Sequence, residues 1–141
     1  MVVLRERVRF VETDLMGVVH HSNYFHWFEM GRVEYMRQAG VLLTDLLAEG
    51  IVFPIRDVSC RYRSSSRFDD IILIETTMKE LSPVKMVFSY RIVKEDSDIL
   101  LATGETVNAF TDEAGKITRL PKHYYEKLQT FMDISQSQQR K

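Results

Sequence analysis

Val8-Arg-Phe-Val-Glu-Thr-Asp-Leu-Met-Gly-Val-Val-His-His-Ser-Asn-Tyr24 is where the hydrophobic period of this chain changes, and the fold is read from that change. Before it, Leu4 to Val11 alternates, with Val8 and Phe10 on one side, which predicts a strand. Glu12 to Gly17 breaks the alternation and closes on glycine, the mark of a loop or tight turn. From Ser22 onward Tyr24, Trp27, Phe28, Gly31 and Tyr35 recur at helical spacing, and Ser22 is suited to cap that helix. Phe25, Met30, Val33 and Met36 fall outside the stripe, so most of the circumference is apolar and the helix is expected to be buried. Gly40 is a stop signal, and Val41 to Ala48 predicts a short second helix before Gly50.

Downstream the period returns to two. Phe53 and Ile55 occupy odd positions while Val58, Cys60 and Tyr62 occupy even ones. A one-residue slip reverses the faces of a strand, so the switch predicts a bulge near Arg56-Asp57. Ile71 to Leu81 is a third strand that turns at Ser82-Pro83. Met86, Phe88, Tyr90 and Ile92 mark a fourth, turning at Asp96 to Asp98, and Ile99 to Thr111 a fifth, leaving through Asp112 to Lys116. Pro121 suits the first turn of a terminal helix that carries Leu120, Tyr124, Leu128 and Phe131 on one face. Residues 1–134 are expected to form one domain, and 135–141 a polar, disordered tail. One long helix against a curved, five-stranded antiparallel sheet is an α+β architecture. Such a sheet leaves free edges, so a homo-oligomer, dimer or tetramer, is expected.

Composition narrows the function classes. A formal net charge of −1 over 141 residues gives no broad attraction to nucleic acid or anionic membrane. No apolar run approaches the ~20 residues of a membrane span. The first residues become charged too early for a signal-peptide core. A single cysteine, Cys60, excludes an internal disulfide and a thiolate metal site. The expected location is the cytoplasm.

The chemistry is expected at the strand-to-helix junction. Asp14 lies in the loop just ahead of the helix, whose first amides have no internal acceptor and carry partial positive charge. A carboxylate on one side of a thioester carbonyl and such amides on the other would make a hydrolytic site. One amide of this kind is worth about 2.7–4 kcal/mol of barrier.

Thr13-Asp14-x-x-Gly17-Val18-Val19-His20-His21-Ser22-Asn23-Tyr24, followed by Trp27-Phe28-Glu29 and Arg32, resembles the 4-hydroxybenzoyl-CoA thioesterase family of hot-dog proteins. Within it the sequence is most similar to the branch of the Tol–Pal-associated acyl-CoA thioesterases. The resemblance continues through Phe53-Pro54 and Arg67-Phe68-Asp69-Asp70. It implies the hot-dog fold, acyl-CoA hydrolysis, and no metal or redox cofactor beyond the coenzyme A of the substrate. It implies Asp14 as base or nucleophile and the His21 backbone amide as oxyanion donor. The His21 side chain either protonates the leaving thiolate or shapes the pocket. Gly17, Val19 and Tyr24 are expected to contact substrate, and Lys85 to approach the coenzyme A phosphates.

The same residues admit other readings. Glu29 is a second candidate carboxylate, but its spacing to Arg32 suits a helical ion pair. Adjacent His20 and His21 rarely share a metal, and no further ligand pattern accompanies them. Arg61 and Arg63 share a strand face that is either solvated or turned to phosphate. Cys60 alternates with Val58 and Tyr62 as a packing thiol would. The rival functions are a hot-dog hydratase or dehydratase and a non-catalytic acyl-CoA-binding protein. The His and acidic context of the first and the DNA-binding module of the second are not found in the sequence.

Overall fold

The alternating segments pair into one antiparallel sheet, β1 (Val2–Arg7), β2 (Ile55–Tyr62), β3 (Ile71–Ser82), β4 (Lys85–Lys94) and β5 (Leu100–Ala109), in the order β1-β3-β4-β5-β2. The structure is a computed structural model and describes residues 1–139. Three helices complete it: α1 (Asn23–Gln38), α2 (Leu43–Ala48) and α3 (Lys122–Gln139). No helix among the described residues is long and apolar enough to cross a membrane.

The even-numbered side chains of β4 that the period singled out, Met86, Phe88, Tyr90 and Ile92, are all buried, and Ile72, Ile74 and Met78 of β3 join them. α1 lies on this face with Tyr24, Trp27, Phe28 and Tyr35 inward. Gly31 permits the approach, because a Cβ there would collide with Thr76 Oγ1. Gly104 does the same for β5, where a Cβ would run into the Phe28 ring. The opposite face of α1 is open, with Phe25 39% and Met30 38% exposed, so the helix is not enclosed all round. α3 covers the far end through Leu128, with Phe131 edge-on to Tyr35 at 4.9 Å between centroids.

The predicted bulge is present: the β2–β5 register shifts between Ile55 and Asp57. Three expectations are corrected. β1 ends at Arg7 and does not reach Val11, because the Arg9 amide is captured by the Glu12 carboxylate at 2.7 Å and residues 10–12 fold into a 3-10 turn. Phe10 is therefore exposed while Val8 is buried. Ser22 occupies the cap position of α1 without a side-chain cap bond, its hydroxyl being engaged by His20 Nδ1 at 2.8 Å. The terminal helix continues past Ser135, whose hydroxyl donates to the Phe131 carbonyl at 2.8 Å, so 135–139 are helical. Residues 140 and 141 lie outside the described residues.

Candidate functional site

Asp14 opens a tight turn that closes on Gly17, whose φ of 77° lies in the left-handed region glycine tolerates best. The Gly17 amide donates to the Asp14 carbonyl, and the Asp14 amide to the Val18 carbonyl. The carboxylate is oriented through Oδ1, which accepts from the Met16 amide at 2.8 Å and the Val18 amide at 3.4 Å. Oδ2 has no protein partner among the described residues. The isolated bridge Thr13–Val19 closes the base of the turn, and Val18–Arg67 fastens it to the chain beyond β2.

A cleft of about 350 Å³ brings Asp14 together with Val19, His21, Tyr24, Tyr62 and Arg63. A second hollow of about 610 Å³ opens against Asp14 beside Phe10, Leu15, His20 and Asn23. The neighbouring amides are used internally: His20 N–H donates to the Glu12 carbonyl and Ser22 N–H to His20 Nδ1. The His21 N–H donates to no protein acceptor among the described residues, which leaves it available just ahead of α1. The Tyr62 hydroxyl donates to the His21 carbonyl at 3.1 Å. Desolvation, then the neighbouring Cys60 and Tyr24, push that hydroxyl up to about 12, so it stays a proton donor across the neutral range. Tyr24 is tied to Ser66 at 3.0 Å, and burial pushes its hydroxyl up as well.

Of the residues singled out in the sequence, Asp14, Val19, His21 and Tyr24 line this cleft. Gly17 shapes the turn behind it. Glu29 and Lys85 lie elsewhere. Glu29 is two-thirds exposed, 3.9 Å from Arg32, the helical pairing its spacing suggested. Lys85 sits at the β3–β4 hairpin facing Glu80, while the Asp14 loop adjoins the Lys94 end of β4 through Asp70. Arg63 follows the last residue of β2 and turns into the cleft, whereas Arg61 stays on the outer face of the sheet. Burial pushes the Cys60 thiol up, in keeping with packing.

Sequence reading missed Glu12 and Tyr62. Glu12 is 4% exposed; its carboxylate accepts from Trp27 Nε1 at 3.2 Å, and its carbonyl from Asn23 Nδ2 at 3.0 Å. A carboxylate two positions before Asp14, in a run ending on a tryptophan-bearing helix, was the available signal. Tyr62 gave none beyond its alternation.

An antiparallel sheet of this order packed on a long helix defines a hot-dog domain, and Asp14 and His21 line one cleft beside the start of that helix. The family model described as the thioesterase-like superfamily matches residues 8–128, and the chain belongs to that superfamily. A relative from Aquifex aeolicus is 36% identical over 126 residues, spanning 89% of this chain and 96% of its own. The acyl-CoA thioesterase YbgC of Haemophilus influenzae is 30% identical over 112 residues, covering 79% and 80%. The DHNA-CoA thioesterase of Staphylococcus aureus superposes with a TM-score of 0.86 at 27% identity, covering 98% of this chain and 92% of that one.

Proposed function

We propose that the protein hydrolyses the thioester of a small aliphatic or aromatic acyl-CoA, with Asp14 as the reacting carboxylate and the His21 amide as oxyanion donor. The observation that carries this reading is the pairing, in one cleft, of a carboxylate with Oδ2 unengaged and a backbone N–H without an acceptor. The activities named for the similar thioesterases support it. The two hollows against Asp14 suit a thioester, which has an acyl arm and a pantetheine arm diverging from one carbonyl.

In the reaction, water oxygen bonds to the carbonyl carbon as its proton passes to Asp14 Oδ2. The carbonyl oxygen takes the negative charge toward His21 N–H. Collapse breaks the carbon–sulfur bond, and the thiolate leaves to be protonated. If Asp14 attacks directly instead, the thiolate leaves and a mixed anhydride forms. In a single turnover in ¹⁸O-water, attack of water at the Asp14 carbonyl of that anhydride places label in the Asp14 carboxylate, which general-base catalysis never does. Attack at the acyl carbon places it in the released acid, as general-base catalysis also would.

Thiol release from short, long and aromatic acyl-CoAs and from an acyl carrier protein thioester tests the proposal. Asp14→Asn should lower kcat by about 10²–10⁴-fold, the range for a general base, in a protein that stays folded. Full activity in that variant, or binding without thiol release in the wild type, would refute it. We further propose a cytoplasmic homo-oligomer joined along β2, the one of the two sheet edges whose residues are almost all exposed. Light scattering that returns a monomer at micromolar concentration would refute the assembly.

A further inference from the structure

Away from Asp14, a cavity of about 470 Å³ lies between α1, α2 and the chain entering β2. Val33, Leu43, Leu47, Phe53 and Ile55 make its walls apolar, and Arg32 is the cation among them. Arg32 is 5% exposed, and its Nε and Nη1 are buried without a hydrogen-bond partner among the described residues. Its nearest carboxylate, Glu29, pairs with Nη2 at a long 3.9 Å and is two-thirds exposed. This solvent-screened pair offsets little of the buried charge and leaves Nε and Nη1 without partners among the described residues. The guanidinium also lies near the Tyr90 hydroxyl, which is hydrogen-bonded to Thr106 at 2.6 Å. Asn108 Oδ1 and Thr76 Oγ1 are also buried without a partner among the described residues. These groups are neutral, and none offsets a full positive charge.

An arginine cannot shed its proton in a protein, so burial leaves the charge in place. An uncompensated buried charge costs several kcal/mol, and an apolar side chain of similar volume would be the more stable choice. A guanidinium kept in an apolar cavity is suited to an anion that brings its own hydrocarbon, because it offers a planar, two-pronged match to a carboxylate. At ~1.5 Å per residue, Arg32 lies roughly 14 Å along α1 from Asn23, too far to touch the reacting carbonyl.

We propose that this cavity binds a carboxylate carried on an apolar chain or ring, with Arg32 as its counter-ion. Two sources share that chemistry: the acid released by thioester hydrolysis, and the distal carboxylate of a dicarboxylic acyl-CoA. Only the assignment between these sources rests on the proposed function; the binding does not.

Isothermal titration with octanoate and with octanol, equal in chain length and differing in charge, is the test. The wild type should bind octanoate at least tenfold more tightly than octanol, and Arg32→Met should abolish the difference while retaining or raising the melting temperature. Leu47→Trp, which fills the cavity and leaves Arg32 alone, should weaken octanoate at least tenfold. Equal binding of the two ligands by the wild type overturns the site, as does a preference that survives Arg32→Met or an octanoate affinity unchanged in Leu47→Trp. Kinetics with octanoyl-CoA and suberyl-CoA separate the sources. A loss of kcat/KM in Arg32→Met confined to suberyl-CoA assigns the cavity to the substrate, and octanoate inhibition relieved in Arg32→Met assigns it to the released acid. If neither thioester releases thiol, the thioesterase reading fails while the octanoate preference stands or falls by its own measurement.

Discussion

Glu12 is a residue whose hydrogen bonds hold the segments that flank Asp14 and His21. Its side chain joins the 3-10 turn to Trp27, and its main-chain carbonyl joins the same turn to His20 and Asn23. The chain on either side of the Asp14 turn is thus joined through one residue. Removing the carboxylate would leave the Arg9 and Trp27 N–H groups without acceptors, at about 1–3 kcal/mol each where they are buried. Glu12→Ala is therefore expected to lower the unfolding free energy by about 2–4 kcal/mol in chemical denaturation. It should also lower kcat more than it raises KM. Glu12→Gln, which keeps one acceptor, should recover part of both, and an Ala variant with wild-type kcat would show that Glu12 serves stability alone. That Asp14 and His21 would meet in one cleft was legible because both lie in one short run of the chain at the strand-to-helix junction. Glu12 was not, since its one sign, a carboxylate two positions before Asp14, does not by itself say that folding will bury it.

At the scale of elements, helix and sheet meet through absences of side chain. A methyl group on Gly104 would face Phe28 on one side and, at 2.9 Å, the Ser59 carbonyl on the other. Gly104→Ala must displace either a fully buried ring or backbone, so a loss of about 1–3 kcal/mol is expected by thermal or chemical unfolding. Gly31→Ala presses on a threonine side chain instead and regains up to about 1 kcal/mol of helix propensity, so it should cost less. The reverse order would mean that α1, and not the β2–β5 pair, is the rigid partner. The β2 bulge was legible because parity along a strand is a count that no tertiary contact alters. The end of β1 was not, because Val8 and Phe10 alternate correctly and only the Glu12 carboxylate diverts the chain between them. Lys85 is readable as a hairpin residue, but which end of the sheet receives the Asp14 loop depends on pairings such as Val8 with Asp70.

For the molecule as a whole, the buried tyrosines set the alkaline limit of stability. Burial pushes Tyr35 from its ordinary 10.0 up to about 12. A raised acid pKa means that the folded state holds the proton more tightly, so this contribution is complete below pH 10 and is lost as pH rises from 10 to 12. At 1.36 kcal/mol per unit it is on the order of 2–3 kcal/mol. Unfolding free energy should fall across that window, and Tyr35→Phe should flatten the fall; an identical slope in the variant would place the titrating group elsewhere. The same whole-molecule view joins β2 to the chemistry. Tyr62 is the last residue of that edge, and its hydroxyl donates to the carbonyl of His21, the residue whose amide is proposed to face the thioester. If a second copy stiffens the edge, the catalyst acquires a memory of its own abundance: specific activity should decline on dilution below the dissociation constant, and Tyr62→Phe should make turnover per subunit indifferent to how crowded the solution is.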